Sequence, residues 1–200
     1  TTEEGSFTWR EESIPLQELQ EAYEGKLEPI YPCNIAQGQK EIPTLSAHGD
    51  SWKKPLIKAA KPRVLIPVFP GTNCEYDAAK AMAAAGAEPE IVVIKNLTAG
   101  AIAQSMEHVA QRLAQAQIVF LPGGFSGGDE PDGSAKLITS FFRSGQVKEQ
   151  VNELLKNRDG LMLGVCNGFQ ALIKLGLVPY GEIVDTDETC PTLTFNTIGR

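Results

Sequence analysis

The stretch Leu161-Met162-Leu163-Gly164-Val165-Cys166-Asn167-Gly168-Phe169-Gln170-Ala171-Leu172 decides how the 200-residue chain is read. A short apolar run, Leu161-Met162-Leu163, meets Gly164-Val165-Cys166-Asn167-Gly168 and passes into a helical pattern. A strand that turns sharply into a helix holds the residue at the turn in a strained conformation with its side chain exposed. Glycines two before and two after that residue let neighbouring backbones approach closely. The sulfur of Cys166 is then expected at the first turn of the following helix, where the dipole and unpaired N–H groups favour thiolate. A buried structural cysteine in a tight turn is the competing reading of the motif taken alone.

The residues upstream supply the fold around this turn. Arg63-Val64-Leu65-Ile66-Pro67-Val68-Phe69 is a continuous apolar run, as a strand buried on both faces requires. Pro70-Gly71-Thr72-Asn73 reads as a turn, and Glu75 to Gly86 as an alanine-rich helix closed by glycine. Glu90 to Ile94 is the second strand, Ala99 to Gln115 a helix with Ile102, Met106, Val109 and Leu113 in phase, and Ile118 to Leu121 the third strand. After the glycine-rich loop Pro122-Gly123-Gly124-Phe125-Ser126-Gly127-Gly128-Asp129 come helices over Ser134–Phe142 and Gln146–Lys156. The fourth strand and the Cys166 turn follow. Strands alternating with helices define an α/β fold, a doubly wound, mostly parallel sheet with right-handed crossovers. In such sheets the ligand crevice lies beyond the carboxyl ends of the strands. The loops Pro70–Asn73, Pro122–Asp129 and Gly164–Gly168 all belong there.

Residues 1–60 have a different texture, rich in Glu and Gln with scattered Pro. They read as an irregular connecting segment that packs on something else, or as an inert linker. One amphipathic helix is predicted from Ile14 to Tyr23, with Leu16, Leu19 and Tyr23 on one face and Pro15 in the first turn. Trp9 and Trp52 are the candidate anchors.

Composition narrows the function classes. A net charge of −7 with no offsetting basic block argues against nucleic acid as a partner. No apolar run is long enough to span a membrane. The four cysteines, Cys33, Cys74, Cys166 and Cys190, are too widely spaced for a metal knuckle, and only two histidines are present, so no metal site is expected. Free thiols in a reducing, cytoplasmic setting are expected instead.

A thiolate attacking a carbonyl needs donors aimed at the developing oxyanion. The amide after the nucleophile, that of Asn167, is one natural donor. The Gly123-Gly124 pair is the other, since glycine lets its amide turn toward a ligand. The competing readings of the glycine-rich loop are a phosphate cradle, which lacks the spacing of the known phosphate-binding motifs, and a merely flexible loop.

Gly164-Val165-Cys166-Asn167-Gly168-Phe169-Gln170 resembles the nucleophile turn of the triad-type, class I glutamine amidotransferases. Phe69-Pro70-Gly71-Thr72-Asn73-Cys74-Glu75 and Leu121 to Asp129 narrow the resemblance to the glutaminase domains of the phosphoribosylformylglycinamidine synthase family of purine biosynthesis. It covers about residues 62–200, within a domain expected over 61–200. It implies a flavodoxin-like sheet, Cys166 as the nucleophile that attacks the carboxamide of glutamine, and an oxyanion and substrate site formed by Gly123, Gly124, Phe125, Asn167 and Gln170. Residues 1–60 then resemble the segment that joins a synthetase body to the glutaminase domain in the large single-chain form. Ammonia would pass to that synthetase domain, where ATP and Mg are expected. The glutaminase chain itself would carry no cofactor.

The family's triad also needs a histidine and an acid downstream of the cysteine. This chain has only His48 and His108, both upstream of Cys166. Thr192 to Arg200 reads as an unfinished strand or hairpin. The expectation is therefore a C-terminally incomplete domain whose histidine and acidic partner lie beyond Arg200. Two other readings of the residues stand beside the amidotransferase: another cysteine-elbow hydrolase or deglycase-like protein of the same fold, and a binding domain whose cysteine is structural. Cys74 is expected to serve packing more than chemistry. The acidic loop Asp185 to Cys190 is expected to be solvated.

Overall fold

The computed structural model describes residues 5–30, 46, 54–125 and 135–193. Contacts divide the chain into two units. The described residues up to 46 fall in the first and those from 54 onward in the second. Cys33, His48, Trp52, the Ser126–Asp129 half of the glycine-rich loop and the stretch from Thr194 to Arg200 lie outside the described residues.

In the first unit, strand β1 (Ser6–Trp9) pairs antiparallel with β2 (Glu12–Pro15), in the register Phe7↔Ile14 and Trp9↔Glu12. Arg10 makes the turn at φ 57°. Helix α1 (Leu16–Gly25) follows directly. The irregular reading of this segment is thus corrected by a hairpin. The predicted helix starts two residues late because Pro15, at ψ 138°, is still extended. Leu16, Leu19 and Tyr23 are exposed, as is Trp9, at 64%.

The second unit is built on four parallel strands: β3 (Arg63–Val68), β4 (Glu88–Val93), β5 (Ile118–Leu121) and β6 (Leu161–Gly164). Their spatial order is β4-β3-β5-β6, so the second strand lies outside the first and the chain then reverses direction across the sheet. That is the flavodoxin-like order, with a switch point between β3 and β5. Pairing there covers only Val64↔Ile118 and Leu65↔Val119. Pro67, two residues on, has no N–H to extend the ladder.

Alternation along the strands fills two cores. Val64 and Ile66 of β3, with Phe120 of β5, pack on one face against Ala78 of helix α2 (Glu75–Ala84). Leu65 and Val119 point to the other face, where they meet helices α3 (Ala99–Leu113), α4 (Lys136–Phe142), α5 (Gly145–Asn152) and α6 (Asn167–Leu175). This double burial is why β3 reads as an unbroken apolar run. Phe69, Phe141 and Phe142 knit the second core, with the Phe69 and Phe141 rings edge to face at 5.2 Å. At β6 the coverage is one-sided. Met162 packs on the α3–α6 core, whereas Leu161 and Leu163 on the opposite face are exposed.

Helix ends are closed by side chains and glycines. Thr98 caps α3 by accepting from the N–H of Ala101 at 3.1 Å. At its other end Arg158 donates to the carbonyls of Leu113, Ala114 and Ala116 at 2.7–3.0 Å, satisfying groups that a helix terminus leaves open. Gly176, at φ 85°, terminates α6 ahead of the short helix α7 (Leu177–Tyr180). The predicted Gln146–Lys156 helix is α5 plus one π-helical turn, Glu153–Asn157. Asp159 then accepts from the N–H groups of Leu56 and Ile57 at 2.5 and 3.3 Å.

The acidic loop has local structure of its own. Asp187 accepts from the hydroxyl of Thr189 at 2.7 Å and from its N–H at 2.8 Å. These bonds hold the Asp187 carboxyl below its usual range, the hydroxyl contributing most. A depressed carboxyl favours the ordered turn above the ordinary aspartate pKa and loses that contribution as pH falls through the lowered one.

Phe142 is fully buried among these rings. Phe142→Ala should lower the unfolding free energy by about 3–5 kcal/mol. Urea denaturation followed by tryptophan-independent far-UV circular dichroism measures it. A loss below about 1 kcal/mol would show that this core is not the one described.

Candidate active site

Gly164 ends β6, and two residues later the chain reverses at Cys166, which has φ 53° and ψ −112°. A side chain at positive φ is strained, and such strain persists only where the surroundings over-determine it. Two glycines do that here. A Cβ on Gly168 would collide with the carbonyl oxygen of Leu121 in β5. One on Gly164 would sit 2.6 Å from the backbone of Gly168 and 2.8 Å from Leu172. The first turn of α6 therefore lies against the ends of β5 and β6 at a distance no other residue permits. The turn is locked by hydrogen bonds from Gly168 N to Val165 O (2.9 Å), Gln170 N to Cys166 O (3.0 Å) and Val165 N to Leu121 O (3.1 Å). Cys166 is exposed.

The loops after β3 and β5 meet at the switch point. Thr72 and Gly124 form an isolated antiparallel bridge. Asn73 N donates to Gly123 O and Phe125 N donates to Gly71 O, both at 2.8 Å. Gly124 makes this possible at φ 123°, where an added Cβ would meet Gly71 O, and Asn73 N at 2.8 Å. The β3 loop is itself closed, with Thr72 N donating to Phe69 O (2.8 Å) and Phe69 N donating to Thr72 Oγ1 (3.0 Å).

This paired structure reaches the thiol. A Cβ built on Gly123 would lie 3.2 Å from Cys166 Cβ and 3.7 Å from its Sγ. The structure thus gathers Gly123, Gly124 and the Cys166 turn at one end of the sheet. Phe125, 61% exposed, follows on the rim. Asn167 starts α6 with its side chain buried, and its Nδ2 donates to Gln170 Oε1 at 3.0 Å. Thr72 and Asn73, which hold the glycine loop in place, carry no chemical signature in the sequence beyond their turn. Only the pairing of the two loops reveals their part.

Other singled-out residues stand apart. Cys74 does not pack in a core: it is exposed at φ 66° at the start of α2, a position whose backbone leaves the side chain outside. Cys190 is half-buried against the Asp187 turn. His108 is exposed on α3. A cleft of about 330 Å³ between α3 and α5, lined by Glu107, Gln111, Gln146 and Glu149 among others, contains none of the three loops. Among the described residues no group of three or more His, Cys, Asp or Glu gathers in a metal-binding arrangement.

The close approaches make a graded test. Gly124→Ala and Gly168→Ala each force backbone to move and should cost about 1–3 kcal/mol. Gly145→Ala, with open space around its Cβ position and a helical setting, should be neutral or stabilising by up to about 1 kcal/mol. Equal effects of all three in urea denaturation would refute the packing described.

Residues 61–200 match the model of the CobB/CobQ-like glutamine amidotransferase domain family. Among curated proteins the chain is similar to "Phosphoribosylformylglycinamidine synthase subunit PurQ" of Dehalococcoides mccartyi, 38% identical over 141 residues, which are 70% of this chain and 49% of that one. The protein of the same name from Treponema denticola is 37% identical over 148 residues, 70% of this chain and 50% of the relative. The chain spans about half the length of these curated relatives. Among solved structures it is similar to a chain of "Structure of PurLQS from Thermotoga maritima", at 30% identity and a TM-score of 0.39, over 58% of this chain and 45% of that one. With the family match covering the whole α/β unit and its cysteine turn, the chain belongs to the CobB/CobQ-like glutamine amidotransferase domain family.

Proposed function

We propose that this chain is the glutamine-hydrolysing part of a phosphoribosylformylglycinamidine synthase, with Cys166 as nucleophile. The observation that carries the reading is the exposed thiol at positive φ with Gly123 against its sulfur. The names of the curated relatives support the assignment to this synthase.

In the proposed reaction Cys166 Sγ attacks the side-chain carbonyl carbon of glutamine. The C–N bond breaks, ammonia leaves with the proton it gains, and a glutamyl thioester remains. Water then cleaves the thioester to glutamate and restores the thiol. The backbone N–H groups of Gly124 and Asn167 are the proposed oxyanion donors. Each such donor is worth on the order of 10²–10³ in rate. Phe125 and Gln170 are proposed to contact the substrate. Ammonia would go to a synthetase domain that converts formylglycinamide ribonucleotide to the amidine with ATP and Mg, in the cytoplasm. Residues 1–60 are proposed to join the two parts. No helix among the described residues is long and apolar enough to cross a membrane.

The general base is proposed to lie outside these residues. Of the two histidines in the sequence, His108 is exposed on α3 and His48 precedes the α/β unit. A positioned base is worth about 10²–10⁴ in rate. Incubation with a chloroketone analogue of glutamine should modify Cys166 saturably, with Cys166→Ala unreactive by peptide mass spectrometry. Ammonia release from glutamine should run at least about 100-fold below that of an intact enzyme of the family. Modification spread evenly over Cys74, Cys166 and Cys190 would overturn the nucleophile assignment. Turnover at the intact-enzyme rate would overturn the missing base.

A further inference from the structure

We propose that Thr72 is a positioning residue: its hydroxyl fastens the loop after β3, and that loop sets the direction in which the Gly124 N–H points. The inference rests on the glutaminase reading above and adds a side chain to which that reading gives no part.

The direction follows from the peptide plane. In a trans peptide the C=O and the N–H that follows it point opposite ways. Gly123 O accepts from Asn73 N at 2.8 Å, so it faces the β3 loop, and the Gly124 N–H faces away from that loop. The bridge gives the same answer. Thr72 and Gly124 stand opposite each other between two bonds, Asn73 N to Gly123 O and Phe125 N to Gly71 O. That is a non-hydrogen-bonded antiparallel pair, in which the two facing residues turn their own N–H groups outward. Strand β5 lies between β3 and β6, so outward from the β3 loop is toward the turn that follows β6. Cys166 is in that turn, its Sγ 3.7 Å from a Cβ built on Gly123.

Gly123 and Gly124 leave their backbone free to turn, and the bonds to the β3 loop take up that freedom. What holds the β3 loop therefore holds the donor. Phe69 is locked in the core, 2% exposed and edge to face on Phe141. It stands one residue past the end of β3, and its N–H donates to Thr72 Oγ1 at 3.0 Å. Thr72 N donates back to Phe69 O at 2.8 Å. These two bonds tie the half-buried Thr72 to a residue that cannot move. Without the hydroxyl the Phe69 N–H loses its acceptor in a buried setting, a cost the loop can relieve only by shifting. A shift at Thr72 passes to its neighbours Gly71 O and Asn73 N, the groups that grip the glycine loop. A hydrogen bond weakens steeply as its donor turns off line, and only donors aimed at the developing charge lower the barrier.

Two alkylating agents test this in the 200-residue chain. With the chloroketone analogue of glutamine, the Cys166 thiolate adds to the ketone carbon and the carbonyl oxygen becomes an alkoxide. The carbonyl then re-forms as sulfur moves to the CH2 carbon and chloride leaves. Iodoacetamide reacts by direct displacement of iodide, with no alkoxide. Thr72→Val should lower the maximal rate of modification by the chloroketone about tenfold, less than the loss of a donor outright. Its half-saturating concentration should stay within about twofold and its iodoacetamide rate should not change, because recognition and the thiol are untouched. Thr72→Ser keeps the hydroxyl and should match the wild type. A role in stability alone predicts equal rates in all three folded chains, and that result would overturn the proposal. So would a loss shared by iodoacetamide, or a Thr72→Ser chain as slow as Thr72→Val. If Thr72→Val does not fold, amide hydrogen exchange in the wild type decides. The N–H groups of Phe69 and Asn73 should exchange at least about tenfold slower than in an unfolded chain, and unprotected exchange at either would overturn the proposal. A wild type that the chloroketone does not modify saturably would overturn the glutaminase reading, and this inference with it. A saturable wild type with an unchanged Thr72→Val would overturn this inference alone.

Discussion

The structure depends on how closely the first turn of α6 lies against the carboxyl ends of β5 and β6. Gly168 sits against the Leu121 carbonyl and Gly164 against Gly168, with no room for a Cβ at either place. That contact pins the chain between a strand and a helix with only Val165, Cys166 and Asn167 to make the reversal. A reversal that short drives its middle residue to φ 53°. The side chain at such a position projects from the turn into solvent. The exposure of the thiol is therefore a consequence of backbone packing two residues away on each side. It needs no special surroundings for the sulfur.

The same logic runs through the neighbouring loops. Their mutual bonds, Asn73 N to Gly123 O, Phe125 N to Gly71 O and the Thr72–Gly124 bridge, all join main chain to main chain. The β3–β5 ladder ends early, at Leu65, and beyond it the two loops pair with each other. Backbone groups of the two loops thus satisfy one another, as buried or half-buried amides must.

Much of this was legible in the sequence because it depends on residues with a narrow conformational meaning. The unbroken run from Val64 to Val68 announces a strand between two layers, and the glycine spacing around Cys166 announces close approach. The strand from Ile118 to Leu121 is found where its apolar run ends. The hairpin of β1 and β2 was not legible. Its turn is Arg10-Glu11, without the Asn-Gly or Gly-containing pairs that signal tight hairpins, and its strands show no clean alternation. The π-helical turn at Glu153–Asn157 has the same helical pattern as α5, and only hydrogen bonding separates them. The exposure of Cys74 escaped because residue type suggests burial, whereas a left-handed backbone at the helix start decides otherwise. The union of the glycine loop with Gly71–Asn73 escaped because pairing between loops leaves no local pattern.

Position and recognition are thus encoded differently in this site. Glycine and proline fix where the thiol and its neighbouring amides lie, through shapes that any backbone can take and few side chains allow. Those residues would serve any acyl substrate, because an oxyanion looks the same in all of them. Under the proposed glutaminase reading, what distinguishes a carboxamide with an amino-acid tail would have to come from side chains and not from these glycines. A motif rich in glycine therefore speaks clearly about the chemistry at the turn and weakly about the molecule that enters it. The buried Asn167 amide belongs to both kinds of constraint: its backbone starts α6 at the turn, and its side chain bonds to another side chain, that of Gln170.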